Sequence, residues 1–316
     1  MVSPSMAVPW LLGFSDILVS LLAMLKFRLD RTISLGLVHP VARLLNGRRE
    51  PRVPILMYHG ISPDIVGRHP YFETNTSPEL FAQHMRFLRE NGYATVDLNE
   101  ALEAIMTGRN CQKQVAITFD DGFRDFYTHA FPILAEYGLK ATMFIVSDRT
   151  NGQRVCLDGK EYMTWQELRE VHSYGVRIGS HTVSHPELYQ LSRKEVEYQI
   201  RQSKETIEDG LGEPIRSFSY PYAFPEQDKK FVEGLKGLLL THGYENGVST
   251  ILGTASREHD WFFLPRLPVN SYDDLRFLKA KLEGGYDWLH APQIFYKRVI
   301  KRIIGAPSEP RVVHGS

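Results

Sequence analysis

The chain has 316 residues, 43% hydrophobic and 23% charged, with 18 prolines and 24 glycines. That is enough for one large α/β domain or two ordinary ones, and it excludes collagen-like, coiled-coil and wholly disordered chains. Lys plus Arg equal Asp plus Glu at 37 each, so no basic excess points to nucleic acid, and the two cysteines, Cys111 and Cys156, form neither a disulfide framework nor a cysteine zinc site.

The chain begins with an apolar stretch, MAVPWLLGFSDILVSLLAML over residues 6–25, about as long as a bilayer is thick. No basic run precedes it, Pro9 and Gly13 break its first half, and Asp16 stands in the middle. Ser15 is a candidate N-cap for a helix from Asp16 to about Leu29. At about 1.5 Å per residue that helix is too short to cross a membrane. From Lys26 to Arg52 seven basic residues face only Asp30 and Glu50, a net +5. If the stretch does span, this basic flank places the rest of the chain on the cytoplasmic side.

The middle alternates strand-like and helical patterns. Apolar runs recur at VPILMY (53–58), QVAITF (114–119), ATMFIV (141–146), VRIGS (176–180), SFSY (217–220) and GVST (247–250). Between them, Ser77-Pro78 opens a helix that Asn91-Gly92 closes, and Gly138 stops another over 124–137. Thr164-x-x-Glu167 and Ser192-x-x-Glu195 are capping boxes. Such alternation predicts a mainly parallel sheet or a barrel, with chemistry at the carboxyl ends of the strands.

Near the other end, IFYKRVIKRII (294–304) sets Phe295, Val299, Ile300, Ile303 and Ile304 at helical spacing against Lys297, Arg298, Lys301 and Arg302. This is the pattern of an amphipathic helix on an anionic membrane surface. The last 26 residues are net +4, leaving −8 on residues 53–290. Two basic, apolar ends around an acidic middle make an anionic membrane surface the expected partner.

Three strand ends carry polar clusters: Asp120-Asp121-Gly122, His181-Thr182-Val183-Ser184-His185-Pro186 and Pro221-Tyr222. Adjacent carboxylates repel, and a divalent cation bound by one would relieve this while leaving the other ionised as a base. His181 and His185 are four apart, a spacing at which two imidazoles share a metal on a helical turn or a tight loop, and Ser180, Thr182 and Pro186 favour the loop. One aspartate and two histidines leave positions open for water and substrate, as in catalytic zinc sites.

Thr118-Phe119-Asp120-Asp121-Gly122, Ser180-His181-Thr182-Val183-Ser184-His185 and Tyr220-Pro221-Tyr222, in that order, resemble the polysaccharide deacetylases (carbohydrate esterase family 4, the NodB-like domain) over roughly residues 51–285. The resemblance implies a distorted (β/α) barrel, and an N-deacetylase of N-acetylated sugars that uses zinc or a similar divalent ion (cobalt, nickel or manganese suit the same donors). It also implies Asp120 as general base, Asp121, His181 and His185 as metal ligands, and the backbone N–H of Tyr222 as an oxyanion donor, with Thr182 and Ser184 bracing the metal loop. Many members carry an arginine two residues before the proline of the third motif, where this chain has Ser219, and Arg266 of Leu264-Pro265-Arg266-Leu267-Pro268-Val269 is a candidate replacement. A late histidine motif is also missing. A branch with Tyr-His-x-Ile at its first strand supplies that histidine from there, and Tyr58-His59-Gly60-Ile61 matches, which makes His59 the candidate general acid.

The expected organisation is a membrane-associating segment over 1–50, a catalytic domain over 51–285 and a basic amphipathic tail over 286–316. The expected substrate is an N-acetylhexosamine on a lipid carrier or glycolipid, met at the cytoplasmic face. The alternatives are an exported, anchored deacetylase of exopolysaccharide or cell wall, and a catalytically silent carbohydrate binder motivated by the lost arginine.

Overall fold

The structure, a computed structural model, describes residues 28–45, 50–63, 70, 73–108, 113–150, 154–157 and 159–295. The apolar stretch 6–25 and nearly all of the basic run 294–304 lie outside the described residues, as do Tyr71, Phe72 and Cys111. Among the described residues no helix is long and apolar enough to cross a membrane.

Eight parallel strands follow one another: β1 (Ile55–Tyr58), β2 (Ala94–Val96), β3 (Gln114–Phe119), β4 (Thr142–Ile145), β5 (Arg177–Ser180), β6 (Ser217–Ser219), β7 (Asn246–Leu252) and β8 (Leu264–Pro268). Their pairing runs β1-β8-β7-β6-β5-β4-β3 and closes when β3 returns to β1, with Ile55 opposite Ala116 and Tyr58 opposite Phe119. β2 stands outside this ring of seven, on the lower half of β3 (Ala94 opposite Gln114), while β4 takes the upper half (Thr118 opposite Thr142). The result is the expected α/β architecture, a distorted barrel.

Helices cover its outside: α1 (29–45), α2 (Pro78–Glu90), α3 (Leu98–Thr107), α4 (Phe131–Tyr137), α5 (Trp165–Ser173), α6 (Arg193–Leu211), α7 (Lys229–Thr241) and α8 (Leu275–Leu282). The stop and start signals act as their chemistry dictates. Ser77 Oγ accepts from Leu80 N–H ahead of Pro78, both predicted capping boxes close, and Gly138 ends α4 at φ +63°. The sequence reading leaves α1, α3, α7 and α8 unassigned, although Asp97 and Glu100 form a third capping box ahead of α3.

Period-two alternation sorts the barrel's side chains. Along β3, Val115, Ile117 and Phe119 pack outward under the helices, while Ala116 joins Ile55, Phe144, Val248 and Leu264 in a separate cluster. These five come one each from five strands of the closed ring and fill the lumen, and Val96 of β2 with Leu98, Ala101, Leu102 and Ile105 of α3 extends the cluster. Gly179 makes room for it: a Cβ there would meet the Phe144 ring at 2.6 Å and the Ser217 carbonyl oxygen at 2.8 Å. On the same face toward the strands' carboxyl ends come Thr118 and Arg266, both buried, and above them the site.

Candidate active site

Two steps above Ala116 on the same face of β3 comes Asp120, 2% exposed. Its oxygens take a two-pronged pair of bonds from Arg266 on β8, at 2.8 Å from Nη1 and 2.7 Å from Nη2. Arg266 is itself 1% exposed and also donates to the Ser249 carbonyl at 2.9 Å, to Thr118 Oγ1 at 3.3 Å and to Ser219 Oγ at 3.2 Å. Every side of the guanidinium fork is therefore met, as a buried charge requires. Ser219 Oγ lies 3.3 Å from both Asp120 oxygens. Its small side chain, where an arginine would be expected from the resemblance, leaves the lumen open for Arg266 to arrive from across the barrel. Burial alone would raise the Asp120 carboxyl, but the Arg266 charge, with His181 and His59 adding to it, holds it well below the ordinary carboxylate range.

Asp121, His181 and His185 converge beside this pair. Their ligand atoms lie within 4.8 Å of one another, with Asp121 Oδ1 3.7 Å from His181 Nε2 and 3.5 Å from His185 Nε2. Tetrahedral donors at about 2.0–2.2 Å from zinc stand roughly 3.4 Å apart, so the two carboxylate–imidazole separations suit a divalent ion. His181 Nδ1 donates to the Ser219 carbonyl at 2.8 Å, which fixes the ring and leaves Nε2 free to ligate. Burial and the neighbouring His181 push the His185 imidazole down to about 4 against the pull of Asp121, and keep it a neutral donor.

The loops that aim these groups are strained. Five non-glycine residues among those described have positive φ, and four of them are Asp121 (+78°), Thr182 (+71°), His185 (+58°) and Tyr222 (+57°). Such backbone costs on the order of 1–3 kcal/mol per residue and persists only where surrounding contacts impose it. Those contacts are visible. Thr182 Oγ1 accepts from His185 N–H at 3.0 Å, Gln199 of α6 accepts from the Val183 and Ser184 amides at 2.9 and 3.1 Å, and its Nε2 donates to Ser184 Oγ at 3.0 Å. Gly122 (φ +80°) lies where a Cβ would meet Ile145 at 3.1 Å. Tyr222 rests its ring 4.6 Å from that of His185, and its carbonyl accepts from Thr250 Oγ1.

His59 follows β1 on the inward face, half-buried. Burial lowers its imidazole, Asp121 and Asp120 pull it up, and Arg266 and His181 lower it further, so it lies within electrostatic reach of the whole constellation. Other aromatic and imidazole side chains have structural places: Trp165 packs on the core, Trp261 is part-exposed, His290 pairs with Glu226, His259 with Ser256 and His242 with Glu197. Sequence reasoning missed Ser249 and Gln199. Both are ordinary polar residues whose roles arise only from their place in the closed barrel.

A buried carboxylate–guanidinium pair thus stands beside an Asp/His/His set at the carboxyl mouth of a parallel barrel. The family model described as polysaccharide deacetylase matches residues 107–240, which hold all three motifs. The Bacillus subtilis (strain 168) protein YxkH, named as a polysaccharide deacetylase, is 33% identical over 221 residues, covering 69% of this chain and 72% of its own. Poly-β-1,6-N-acetyl-D-glucosamine N-deacetylase of Escherichia coli K12 is 36% identical over 138 residues, 40% of this chain but only 20% of that protein. Streptococcus pyogenes deacetylase PplD, solved in complex with acetate, superposes with a TM-score of 0.63 at 25% identity over 74% of this chain and 99% of its own. The chain belongs to the polysaccharide deacetylase family, hydrolases that cleave acetamide C–N bonds.

Proposed function

We propose that the protein is a metal-dependent N-deacetylase that removes the acetyl group from an N-acetylhexosamine carried by a lipid or glycolipid at a membrane surface. The buried Asp120–Arg266 pair beside Asp121, His181 and His185 carries the chemical half of this reading. It also removes the motive for a silent binder, because an arginine does face the base, from β8 instead of β6. Asp121, His181 and His185 would hold the ion, zinc being the best match to the donors, with cobalt, nickel or manganese also suited. Bound there, it would supply Lewis acidity toward the amide carbonyl and the attacking water.

Asp120, kept anionic by Arg266, accepts the proton of the water that attacks the carbonyl carbon. The Tyr222 N–H donates to the oxygen on which negative charge develops. His59 protonates the departing nitrogen as the C–N bond breaks, releasing acetate and a free amine. A lowered imidazole makes a stronger acid toward that amine when protonated.

The membrane half rests on the basic, apolar ends of the chain, and the positive-inside bias favours the cytoplasmic leaflet. The relatives named for poly-β-1,6-N-acetyl-D-glucosamine favour a second substrate, an N-acetylated polysaccharide. Acetate release from a lipid-linked N-acetylhexosamine and from soluble N-acetylglucosamine oligomers, with wild type and Asp120→Asn, separates them. Turnover of the lipid-linked sugar by wild type alone supports the first reading. Turnover of soluble oligomers only sinks it and leaves the second.

A further inference from the structure

Helix α1 is built inside out. Its barrel-facing side is largely polar, with Leu35 and the buried Ala42 the apolar residues among them: Asp30 takes bonds from Arg28 (2.6 Å) and from the Tyr286 hydroxyl (2.9 Å), Ser34 accepts from Trp288 Nε1 (3.0 Å), and His39 pairs with Glu283 (2.6 Å). Its outward side carries an apolar line, Leu29 (43% exposed), Ile33 (36%), Leu37 (65%), Val41 (48%) and Leu44 (86%). The three steps of four from Leu29 to Val41 drift around an α-helix by about 40° each, the wider i→i+5 turn over Ser34–Val38 takes up part of that drift, and the last step of three to Leu44 turns back by about 60°, so the line stays on one flank. A helix whose outer face met only water would reverse this pattern.

We infer that this flank of α1 lies in the surface of an anionic lipid bilayer. The apolar stretch 6–25, about bilayer length, ends four positions before Leu29, so the stripe follows it across Lys26-Phe27-Arg28. Folding that run back over the stripe would cover one face and leave its own opposite face in water; an apolar phase covers both. Basic residues at both ends of the chain supply the charge match to anionic headgroups. The segment that leads into the C-terminal basic run packs against the same helix through Trp288.

The docking also sets an orientation. Arg31 meets Asp274, the N-cap of α8 just beyond the carboxyl end of β8, at 2.5 Å, whereas His39 meets Glu283 at the far end of α8. The first turn of α1 is thus level with the barrel mouth and its later turns with the floor, and the contact lays the barrel on its side with the mouth's rim at the lipid surface. This deepens the membrane half of the proposed function and rests on it, but not on the deacetylase chemistry.

The test is co-sedimentation of the full chain with phosphatidylglycerol/phosphatidylcholine vesicles, comparing wild type, Leu37→Glu with Leu44→Glu, and Leu240→Glu, an exposed leucine on α7 (55%). Activity on soluble N-acetylglucosamine oligomers is read alongside, so that failure of the contact and failure of the chemistry separate. The double variant is expected to partition about a hundredfold more weakly, roughly tenfold per leucine withdrawn from lipid, with Leu240→Glu unchanged. A polarity-sensitive label at Leu37→Cys, in a background lacking Cys111 and Cys156, is expected to be quenched by lipid-borne quencher. Vesicle binding by the double variant equal to wild type, no binding by wild type, or a label that stays in water would each overturn the inference. Self-association of wild type without lipid, lost in the double variant while vesicle binding persists, would give the stripe to a second copy of the chain instead.

Discussion

Arg266→Met is the substitution that bears hardest on this site. Arg266 is 1% exposed and Asp120 2%, and their two bonds are 2.8 and 2.7 Å long, so removing the guanidinium leaves a carboxylate in the barrel lumen with only Ser219 and neighbouring imidazoles to face. Breaking a buried pair by deleting one partner costs about 3–5 kcal/mol. In the wild type the folded Asp120 carboxyl lies below its unfolded value. It therefore stabilises the protein at all pH above the unfolded value and loses that contribution only as pH falls through the folded value, in strong acid. In the variant burial dominates and the folded carboxyl rises above its unfolded value. The destabilisation is then full at high pH and is relieved as pH falls and Asp120 takes up a proton. Urea midpoints of chelator-treated protein should show a gap between wild type and variant that narrows from about pH 8 to about pH 5. The same rise should shift the acidic limb of kcat/KM upward, each unit being worth about 1.4 kcal/mol or tenfold in the fraction of ionised base. Arg266→Lys keeps the charge without the fork and should fall between the two. A gap that is constant or widens on acidification, with an unmoved acidic limb, would refute the account of how Asp120 is kept ionised.

Exchanging the pair, Ser219→Arg with Arg266→Ser, should recover part of the activity lost by Arg266→Ser alone, because both side chains enter the lumen against Asp120; no recovery would show that the direction of approach matters. Chelation should abolish acetate release and zinc or cobalt should restore it, and His181→Ala should lower metal content measured by atomic absorption, not only turnover. His59→Ala should reduce kcat on the amide by about 10²–10⁴-fold while sparing an aryl acetate, whose leaving group needs no proton; equal losses on both would remove the acid role. Because burial holds His59 below the ordinary imidazole value of 6.5, the alkaline limb of kcat/KM should lie below that pH and disappear in the variant. Gly179→Ala should destabilise the barrel by about 1–3 kcal/mol, since its Cβ would press on a ring and on a backbone carbonyl, neither of which can yield freely; an unchanged melting temperature would contradict the lumen packing.

Much of the architecture was legible locally, because the signals that specify it act over a few residues. Caps such as Thr164/Glu167 and Ser192/Glu195 satisfy amides three positions away, and the alternation along β3 follows from the two-residue period of a strand. The grouping of Asp121, His181 and His185 was likewise legible, since each stands beside a strand end in a long motif and the structure brings the three together. What reading along the chain misses is distance across it. Strand β8, with proline at both Pro265 and Pro268, does not look like a strand until its neighbours close on it. Arg266 stands 146 positions from Asp120 and could be named only as a candidate, because its direction depends on closing the seven-stranded ring. The inverted face of α1 depends equally on tertiary contact. Its polar residues are inward only because Tyr286, Trp288 and Glu283 wait there to bond them, and a burial pattern set by distant partners leaves no periodic trace in the segment itself.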